Sequence, residues 1–158
     1  DRAPLVADIG TGSGALAISA KLAKPAWEVV GTDADKACLS VARHNARRLG
    51  AAVNFKAGDL LAGLQKTDVV LANLPYVPSG WRINEAAAWE PRLAIFGGPD
   101  GLDLYRRLFG SLKDLAEPPR LVFAEAMPPQ HPALSAIAAR HGFKPHGGQD
   151  FIRSFKAP

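Results

Sequence analysis

The fold is decided by the stretch Leu5-Val6-Ala7-Asp8-Ile9-Gly10-Thr11-Gly12-Ser13-Gly14. Its first half is short and mostly apolar, as in a buried β-strand, and its second half alternates glycine with small polar residues. A helical pattern follows over residues 15–23 and ends before Lys24-Pro25. A strand, a glycine-rich turn and a helix in this order open an α/β unit, whose turn lets a ligand approach bare backbone and the first amides of the helix.

The rest of the chain repeats this alternation of strands and helices. Apolar runs predict further strands at residues 28–32, 53–56, 68–72, 121–124, 143–145 and 152–156. Helical spacing predicts helices over residues 102–115, from Pro132 to about His141, and between the caps Asp35 and Gly50, the last with a core face of Leu39, Ala42, Ala46 and Leu49. The sequence therefore predicts an α/β fold: a mostly parallel seven-stranded sheet with helices on both faces. The last two strands are expected to form an antiparallel edge hairpin around a turn over residues 146–150.

Length and composition indicate one domain over residues 1–158. Of these residues 47% are hydrophobic and 22% charged, and the net charge is +4. This charge is compatible with an acidic or RNA-rich partner without establishing one. The single cysteine, Cys38, favours a reducing compartment, and no stretch is long and apolar enough for a membrane span or a signal peptide. We therefore expect a cytoplasmic monomer, and the four histidines show no spacing typical of a metal site.

The glycine-rich turn is compatible with two kinds of cofactor. Gly10, Gly12 and Ala15 fit the small positions of a dinucleotide-binding turn, and Asp33 follows at about the distance of a ribose-binding acid. Asp8 argues instead for S-adenosylmethionine, because a carboxylate before the glycines would face the cationic amino acid part of that cofactor but repel a pyrophosphate. Asp59-Leu60, after the third strand, could read an adenine edge through a carboxylate and a backbone amide. The sequence thus favours S-adenosylmethionine over NAD.

The tetrapeptide Asn73-Leu74-Pro75-Tyr76 follows the fourth strand, at the edge of an α/β sheet where ligands bind. The Asn73 side-chain carbonyl and the Leu74 main-chain carbonyl could each accept one hydrogen of a planar NH₂ group and so orient its nitrogen toward a methyl donor. Pro75 would stiffen the turn, and the Tyr76 ring could pack on the planar group and exclude water. The tetrapeptide therefore predicts methyl transfer to an amide or aromatic amine nitrogen. The alternative is an ordinary turn that closes a strand.

Two other segments allow more than one interpretation. Residues 77–100 show no strong periodicity and contain Trp81 and Trp89. A loop of this length in a small domain is usually functional, although the two tryptophans could simply cap the core. Gly147-Gly148-Gln149 is interpreted as part of the turn of the terminal hairpin, in preference to a glutamine that the chain itself modifies.

The chain resembles HemK/PrmC-type methyltransferases, class I enzymes that methylate the glutamine side-chain amide in the GGQ motif of peptide chain release factors. The glycine turn and the tetrapeptide are similar to the cofactor loop and the [DN]-P-P-Y-type motif of such enzymes. The stretches Glu90-Pro91-Arg92-Leu93-Ala94 and Gly97-Gly98-Pro99-Asp100-Gly101-Leu102 are similar to an E-P…A-L…G-G-x-D-G-L signature. Glu125 and Gln130 match an E-x-G-x-x-Q segment in which Met127 replaces the glycine.

The resemblance implies a Rossmann-like class I methyltransferase fold that uses S-adenosylmethionine and acts on a release factor. It implies that the cofactor is bound by Gly10, Thr11, Gly12, Ser13, Gly14, Asp33, Asp59 and Leu60. Asn73 would contact both cofactor and substrate, and the glutamine amide would lie against Leu74, Pro75 and Tyr76.

Two departures from that family keep alternatives open. Its members carry an N-terminal helical domain that contacts the release factor, and we expect this domain to be absent from the 158 residues. Leu74 stands where the family usually has proline. The resulting sequence Asn-Leu-Pro-Tyr resembles the corresponding motif of the rRNA adenine dimethyltransferases. We expect the change to matter little, because only the backbone carbonyl of Leu74 is used. The alternatives are therefore an N-methyltransferase acting on adenine or guanine in RNA or DNA, a non-catalytic cofactor-binding domain, and a nicotinamide oxidoreductase.

Overall fold

One sheet of seven strands organises the chain in the computed structural model, which describes residues 2–61, 63–82 and 92–157. The strands are β1 (Leu5–Ile9), β2 (Glu28–Asp33), β3 (Asn54–Ala57), β4 (Val69–Ala72), β5 (Leu121–Glu125), β6 (Lys144–Gln149) and β7 (Ile152–Lys156). The helices are α1 (Ala15–Ala23), α2 (Lys36–Leu49), α3 (Arg92–Ile95), α4 (Asp103–Leu112) and α5 (His131–Arg140), the last preceded by a 3₁₀ turn over Pro128–Gln130.

The order of the strands across the sheet is β3-β2-β1-β4-β5-β7-β6. The first five strands of this order pair in parallel, whereas β7 pairs antiparallel with both β5 and β6. The predicted class I arrangement, mostly parallel with an antiparallel hairpin at one edge, is confirmed. The parallel neighbours β1 and β4 lie at the centre of the sheet, so the turns that follow them leave it side by side.

Helices cover both faces of the sheet, as predicted. On one face, α1 and α2 pack Ile18 and Leu39 against Val29 and Phe55 of the sheet. The other face carries the larger cluster, in which α4 and α5 contribute the buried residues Tyr105, Leu108, Phe109, Leu112, Leu134 and Ile137. Within that cluster the ring of Phe109 packs edge-on against Phe143 and Phe155, with centroids 5.5 and 5.4 Å apart. These contacts join α4 to the terminal hairpin.

Helix α2 begins and ends where its sequence predicts. The Asp35 carboxylate accepts a hydrogen bond from the Ala37 amide at 2.8 Å, and Gly50 ends the helix with a φ of +67°. Leu39, Ala42 and Ala46 are buried as expected, but the prediction for Leu49 is wrong, since 59% of its surface is exposed. This residue lies in the last turn, directly before the chain reverses at Gly50, where helical spacing no longer faces the sheet.

The terminal hairpin differs from its prediction in the position of its turn. Residues 147–149 belong to β6 and pair with β7, so Gly147 and Gly148 are strand residues rather than turn residues. The reversal falls on Asp150 and Phe151, and Asp150 has a φ of +50°. A single register shift between Pro145 and Gly147 accompanies this longer strand.

The long loop after the tetrapeptide is partly described. Residues 83–91, which include Trp89 and Glu90-Pro91, lie outside the described residues. Val77 forms a parallel bridge with Phe96, and the four-residue helix α3 precedes that bridge. Trp81 is 55% exposed, so the interpretation that it caps the core is wrong for this residue.

Candidate active site

The candidate site lies where the sheet reverses its strand order. The strands β1, β2 and β3 extend from this point in one direction, and β4 and β5 in the other. Ligands of open α/β sheets bind beside the carboxyl ends of the strands at such a point. Ile9 at the end of β1 pairs with Ala72 at the end of β4, and the glycine turn and the tetrapeptide follow these two residues. The structure therefore brings the two predicted motifs together.

The glycine turn has the open backbone that its sequence predicts. Gly10, Gly12 and Gly14 have φ values of +70°, +54° and +83°, in the region that favours glycine. A Cβ atom on Gly12 would meet nothing within 4 Å, whereas one on Gly10 would lie 2.8 Å from Leu74 Cδ2. The turn is therefore open at Gly12 and closed against the tetrapeptide at Gly10.

Asp8 lies beneath this turn and is only 1% exposed. Its Oδ2 atom accepts hydrogen bonds from the Thr11 hydroxyl at 2.6 Å and from the Ala17 amide at 3.1 Å. Burial raises the pKa of the Asp8 carboxyl above its ordinary value, and these hydrogen bonds oppose the rise. Asp8 thus fastens the turn to the start of α1, and its predicted approach to a cationic ligand group stays a prediction.

Asp33, at the end of β2, reaches across to the glycine turn. Its two carboxylate oxygens accept hydrogen bonds from the amides of Gly12 and Asp35, each at 2.8 Å. Each oxygen can accept a further hydrogen bond, so Asp33 keeps acceptor capacity beside the open position of Gly12. Ser13 is exposed next to it, and its carbonyl accepts a hydrogen bond from the Asn45 amide at 3.0 Å.

Asp59-Leu60 follows β3 at the same edge of the sheet. Asp59 is exposed and forms an ion pair with Arg107 of α4. Leu60 has a φ of +46°, and its carbonyl accepts a hydrogen bond from the Thr32 hydroxyl at 2.6 Å. These bonds tie the loop to β2 and α4. A role for Asp59 in reading adenine stays a prediction, and the ligand would share this carboxylate with Arg107.

The tetrapeptide presents hydrogen-bond acceptors that no described residue occupies. Asn73 is exposed, and no hydrogen bond joins its side chain to the part of the chain that the structure describes. Within those same residues, the Leu74 carbonyl also accepts no hydrogen bond. The Ala72 and Tyr76 carbonyls are occupied, since Ala72 accepts from the Tyr105 hydroxyl at 3.0 Å and Tyr76 accepts from the Gln130 side-chain amide at 2.7 Å. The Pro75 carbonyl also accepts no hydrogen bond from the described residues, so the two acceptors that the sequence assigns to an NH₂ group are among those left unoccupied there.

Leu74 has more than the backbone role expected for it. Its side chain is 3% exposed, belongs to the larger core cluster and lies against Gly10. The side chain therefore packs between the tetrapeptide and the glycine turn. Sequence reasoning missed this contact because it joins turns that are more than sixty residues apart.

Tyr76 is half-buried, and its hydroxyl donates a hydrogen bond to Glu125 Oε1 at 3.0 Å. Burial and the neighbouring Glu125 carboxylate raise the pKa of Tyr76 to about 12. Glu125 is the last residue of β5, so the hydrogen bond ties the tetrapeptide to the next strand of the sheet. Pro75, also half-buried, completes the turn between Leu74 and Tyr76.

The Gly97–Leu102 stretch packs against the backbone of the tetrapeptide. A Cβ atom on Gly97 would collide with the Pro75 carbonyl oxygen, and one on Gly101 with the Tyr76 carbonyl oxygen. Glycine is required at both positions because two backbones meet there without a side chain between them. This stretch, identified in the sequence only by resemblance, therefore supports the tetrapeptide from behind.

Tyr105 is a site residue that sequence reasoning missed. Its fully buried hydroxyl lies 3.0 Å from the Ala72 carbonyl and 2.5 Å from the Glu125 carbonyl, and the Leu74 amide donates to it at 3.4 Å. It thus joins the ends of β4 and β5. Only its helical spacing with other buried residues of α4 marks it in the sequence, and that spacing indicates a core residue.

A groove of about 440 Å³ opens beside Tyr76, lined also by Glu125, Gln149, Asp150, Phe151 and Ile152. A second cavity, of about 500 Å³, lies around Arg2 and Asp68 at the opposite end of the strands, away from both motifs. The described residues include no cluster of three or more histidine, cysteine, aspartate or glutamate side chains that could hold a metal ion.

No helix in the described ranges has the length and apolar character needed to cross a membrane.

Methyltransferases are among the known sequences similar to this chain. A family model described as ribosomal protein L11 methyltransferase (PrmA) matches residues 2–75, which contain the glycine turn and end within the tetrapeptide. A release factor glutamine methyltransferase of Moorella thermoacetica is 43% identical over 87% of this chain and 50% of its own length. One of Deinococcus radiodurans is 36% identical over 98% of this chain and 59% of its own length. The chain thus spans about half the length of the curated relatives it matches.

Solved structures similar to this chain share its fold. A ribosomal protein L11 methylase of Lactobacillus delbrueckii subsp. bulgaricus has a TM-score of 0.72 at 21% identity, over 99% of this chain and 72% of that one. An RNA methyltransferase of Salinibacter ruber, solved with S-adenosyl-L-homocysteine, has a TM-score of 0.62 at 20% identity, over 98% of this chain and 79% of that one. The chain therefore has the fold of these solved methyltransferases, and its sequence is similar to about half the length of the release factor glutamine methyltransferases.

Proposed function

We propose that residues 1–158 form the catalytic domain of a methyltransferase that acts on the side-chain amide of a protein glutamine, the GGQ glutamine of a peptide chain release factor. The observation that carries this proposal is that the Asn73 side chain and the Leu74 carbonyl, beside the glycine turn, accept no hydrogen bond from the described residues. The names of the relatives support a release factor as the acceptor, and we propose the cytoplasm as the compartment in which such an acceptor is methylated.

The residues at the carboxyl ends of β1 and β2 fit S-adenosylmethionine as the methyl donor. Gly12 leaves open space at the turn, so a ligand can approach the backbone there. Asp33 keeps acceptor capacity for ribose hydroxyls next to that space, and Asp8 places a carboxylate beneath it. When bound, this cofactor supplies an electrophilic methyl group.

The task of the tetrapeptide is to orient a poor nucleophile. The lone pair of an amide nitrogen is delocalised, so the nitrogen attacks only when its geometry is fixed. Asn73 and the Leu74 carbonyl each accept one N–H hydrogen and thereby hold the nitrogen with its lone pair toward the donor side of the site. The packed side chain of Leu74 against Gly10 fixes the distance between the donor turn and these acceptors.

Tyr76 contributes an aromatic ring in a fixed position and does not act as a proton acceptor. Because its pKa is about 12, the hydroxyl stays protonated near neutral pH and donates to Glu125. That hydrogen bond fixes the ring beside the groove, where it can pack on the planar amide and exclude water.

An Asn73→Ala variant tests the proposal by separating cofactor binding from transfer. With a release factor as acceptor, we expect transfer to fall by at least about 100-fold, because a lost orienting contact misplaces the nitrogen. Cofactor affinity, measured by calorimetry, should stay within about fivefold, since most cofactor contacts are assigned to the glycine turn and Asp33. The matched control is Asn54→Ala, an exposed asparagine on the edge strand β3. Unchanged transfer in Asn73→Ala would remove the proposed role of the tetrapeptide.

A further inference from the structure

Gln130 makes three hydrogen bonds to three separate segments. It lies in the 3₁₀ turn before α5 and is 8% exposed. Its Nε2 atom donates to the Tyr76 carbonyl at 2.7 Å and to the Asp100 carbonyl at 2.8 Å, and its Oε1 atom accepts from the Met127 amide at 2.9 Å. One side chain thus connects the tetrapeptide, the Gly97–Leu102 stretch and the exit of β5.

Only an amide side chain of this length satisfies all three partners. Both amide hydrogens are used by carbonyl groups, and the amide oxygen is used by a backbone N–H. A glutamate here would turn a charged oxygen toward two carbonyl oxygens, and an aliphatic residue would leave both carbonyls and the N–H without a partner. The residue type at this position is therefore set by the tetrapeptide and not by packing alone.

Tyr76 is held at both ends from one segment. Gln130 binds its main-chain carbonyl and Glu125 binds its hydroxyl, and these two residues are five positions apart. Gly101 packs directly against the hydrogen bond between Gln130 and the Tyr76 carbonyl, because a Cβ atom on it would lie 2.5 Å from Gln130 Nε2. The backbone of Tyr76 therefore cannot shift without breaking the hydrogen bond to Gln130.

We propose that Gln130 is a positioning residue for methyl transfer. It fixes the Tyr76 carbonyl and thereby holds the Tyr76 ring, the Asn73 side-chain carbonyl and the Leu74 main-chain carbonyl at the distance from the methyl donor that transfer requires. It touches neither substrate nor cofactor. This inference rests on the proposed function, in which the tetrapeptide holds the acceptor amide.

The test compares Gln130→Glu with the wild type near pH 8 and near pH 6. The variant keeps the size of the side chain and the acceptor for Met127, and it loses both donors when charged. Burial and the facing carbonyls favour the protonated carboxylic acid, which returns one donor at the lower pH. The wild type has the same other titratable groups around this position, so dividing the rate of the variant by that of the wild type at each pH removes their effect. These groups are Tyr76, Asp100, Tyr105, Arg106, Glu125 and His131.

We expect kcat/KM for a release factor to fall by at least about tenfold near pH 8 and by clearly less near pH 6, with cofactor affinity within about twofold of the wild type. Gln65→Glu, the same change at an exposed position, should match the wild type at both values. A wild-type rate for Gln130→Glu near pH 8, or the same loss at both values, would overturn the inference.

A measurement without turnover keeps this inference distinct from the proposed function. The chain has two tyrosines, so ring resonances of isotope-labelled Tyr76 and Tyr105 can be assigned by NMR. Displaced Tyr76 resonances in unliganded Gln130→Glu support the positioning role, and unchanged ones overturn it. If the wild-type chain transfers no methyl group to a release factor, the proposed function fails, and the NMR comparison still decides whether Gln130 positions Tyr76.

Discussion

Replacing Gly101 by alanine should disable methyl transfer, although residue 101 is not expected to touch any ligand. Gly101 has a φ of +80°, and its Cα faces the Tyr76 carbonyl oxygen with no room for a Cβ atom. The substitution must therefore move either the Gly97–Leu102 stretch or the tetrapeptide.

The loss of free energy of unfolding in Gly101→Ala can be estimated from two separate effects. An alanine in the left-handed region costs roughly 1–2 kcal/mol. The added Cβ atom also forces apart the 2.7 Å hydrogen bond between Gln130 and the Tyr76 carbonyl. Loss of that bond costs about 1–3 kcal/mol, because the partners are partly buried and would be left unpaired. We therefore expect Gly101→Ala to lower the free energy of unfolding by about 2–5 kcal/mol.

Gly50→Ala is the matched control. Gly50 has a φ of +67°, but a Cβ atom there would meet nothing within 4 Å, so only the backbone cost of roughly 1–2 kcal/mol applies. Urea denaturation measures both free energies of unfolding. Transfer of labelled methyl to a release factor should drop by at least about 100-fold in Gly101→Ala and stay within about twofold of the wild type in Gly50→Ala.

If the two variants lost the same free energy of unfolding and both kept wild-type kcat/KM, the proposed clash at residue 101 would be refuted. Such a result would mean that the Gly97–Leu102 stretch and the tetrapeptide do not constrain each other. A loss of cofactor affinity in Gly101→Ala as large as the loss of transfer would also contradict it, because the glycine turn should be unaffected.

Three further predictions concern neighbouring residues. Leu74→Ala should destabilise the chain by about 2–5 kcal/mol in urea denaturation, because the shorter side chain leaves a cavity in the core. It should also weaken cofactor binding, since that cavity would lie against the glycine turn, and unchanged cofactor affinity would contradict this packing. Glu125→Gln should lower the pKa of Tyr76 from about 12, but not to its ordinary value, because burial is the larger cause; absorbance titration measures it, and no change would exclude the carboxylate as a contributor. Arg106 holds the pKa of Asp100 at about 2, so this pair should stabilise the fold above the ordinary carboxyl pKa and lose that effect as the pH falls toward 2. In Arg106→Met, NMR titration should show the Asp100 pKa returning upward. The free energy of unfolding above pH 4 should fall by less than about 1 kcal/mol in this variant, because both side chains are about half exposed.

Strands and helices with a strong local signal could be predicted almost to the residue. The apolar run at β1 and the helical spacing of α1 agree with the structure at both ends. The cap residues Asp35 and Gly50 also act where they were predicted, because capping depends on one or two neighbouring residues. The hairpin turn was misplaced because two glycines favour a turn locally, whereas pairing with β7 keeps residues 147–149 extended.

The candidate site was predictable only in its parts that follow strands directly. Since parallel strands end at one edge, the glycine turn and the tetrapeptide could be expected at the same edge of the sheet. Glu125 and Gln130 stand out in the sequence only by resemblance to a family, and their contacts with Tyr76 could not be predicted, because they lie 49 and 54 positions from it. Such pairs depend on sheet order, which no local pattern of this sequence reveals.

The most direct test of the central claim is to offer one labelled methyl donor to three acceptors: a release factor, rRNA and bulk protein. The site described here predicts that label enters the release factor and maps, by mass spectrometry of its peptides, to the glutamine of the GGQ motif. It also predicts that this label disappears in Asn73→Ala. Label found in RNA alone would falsify the assignment to a protein glutamine.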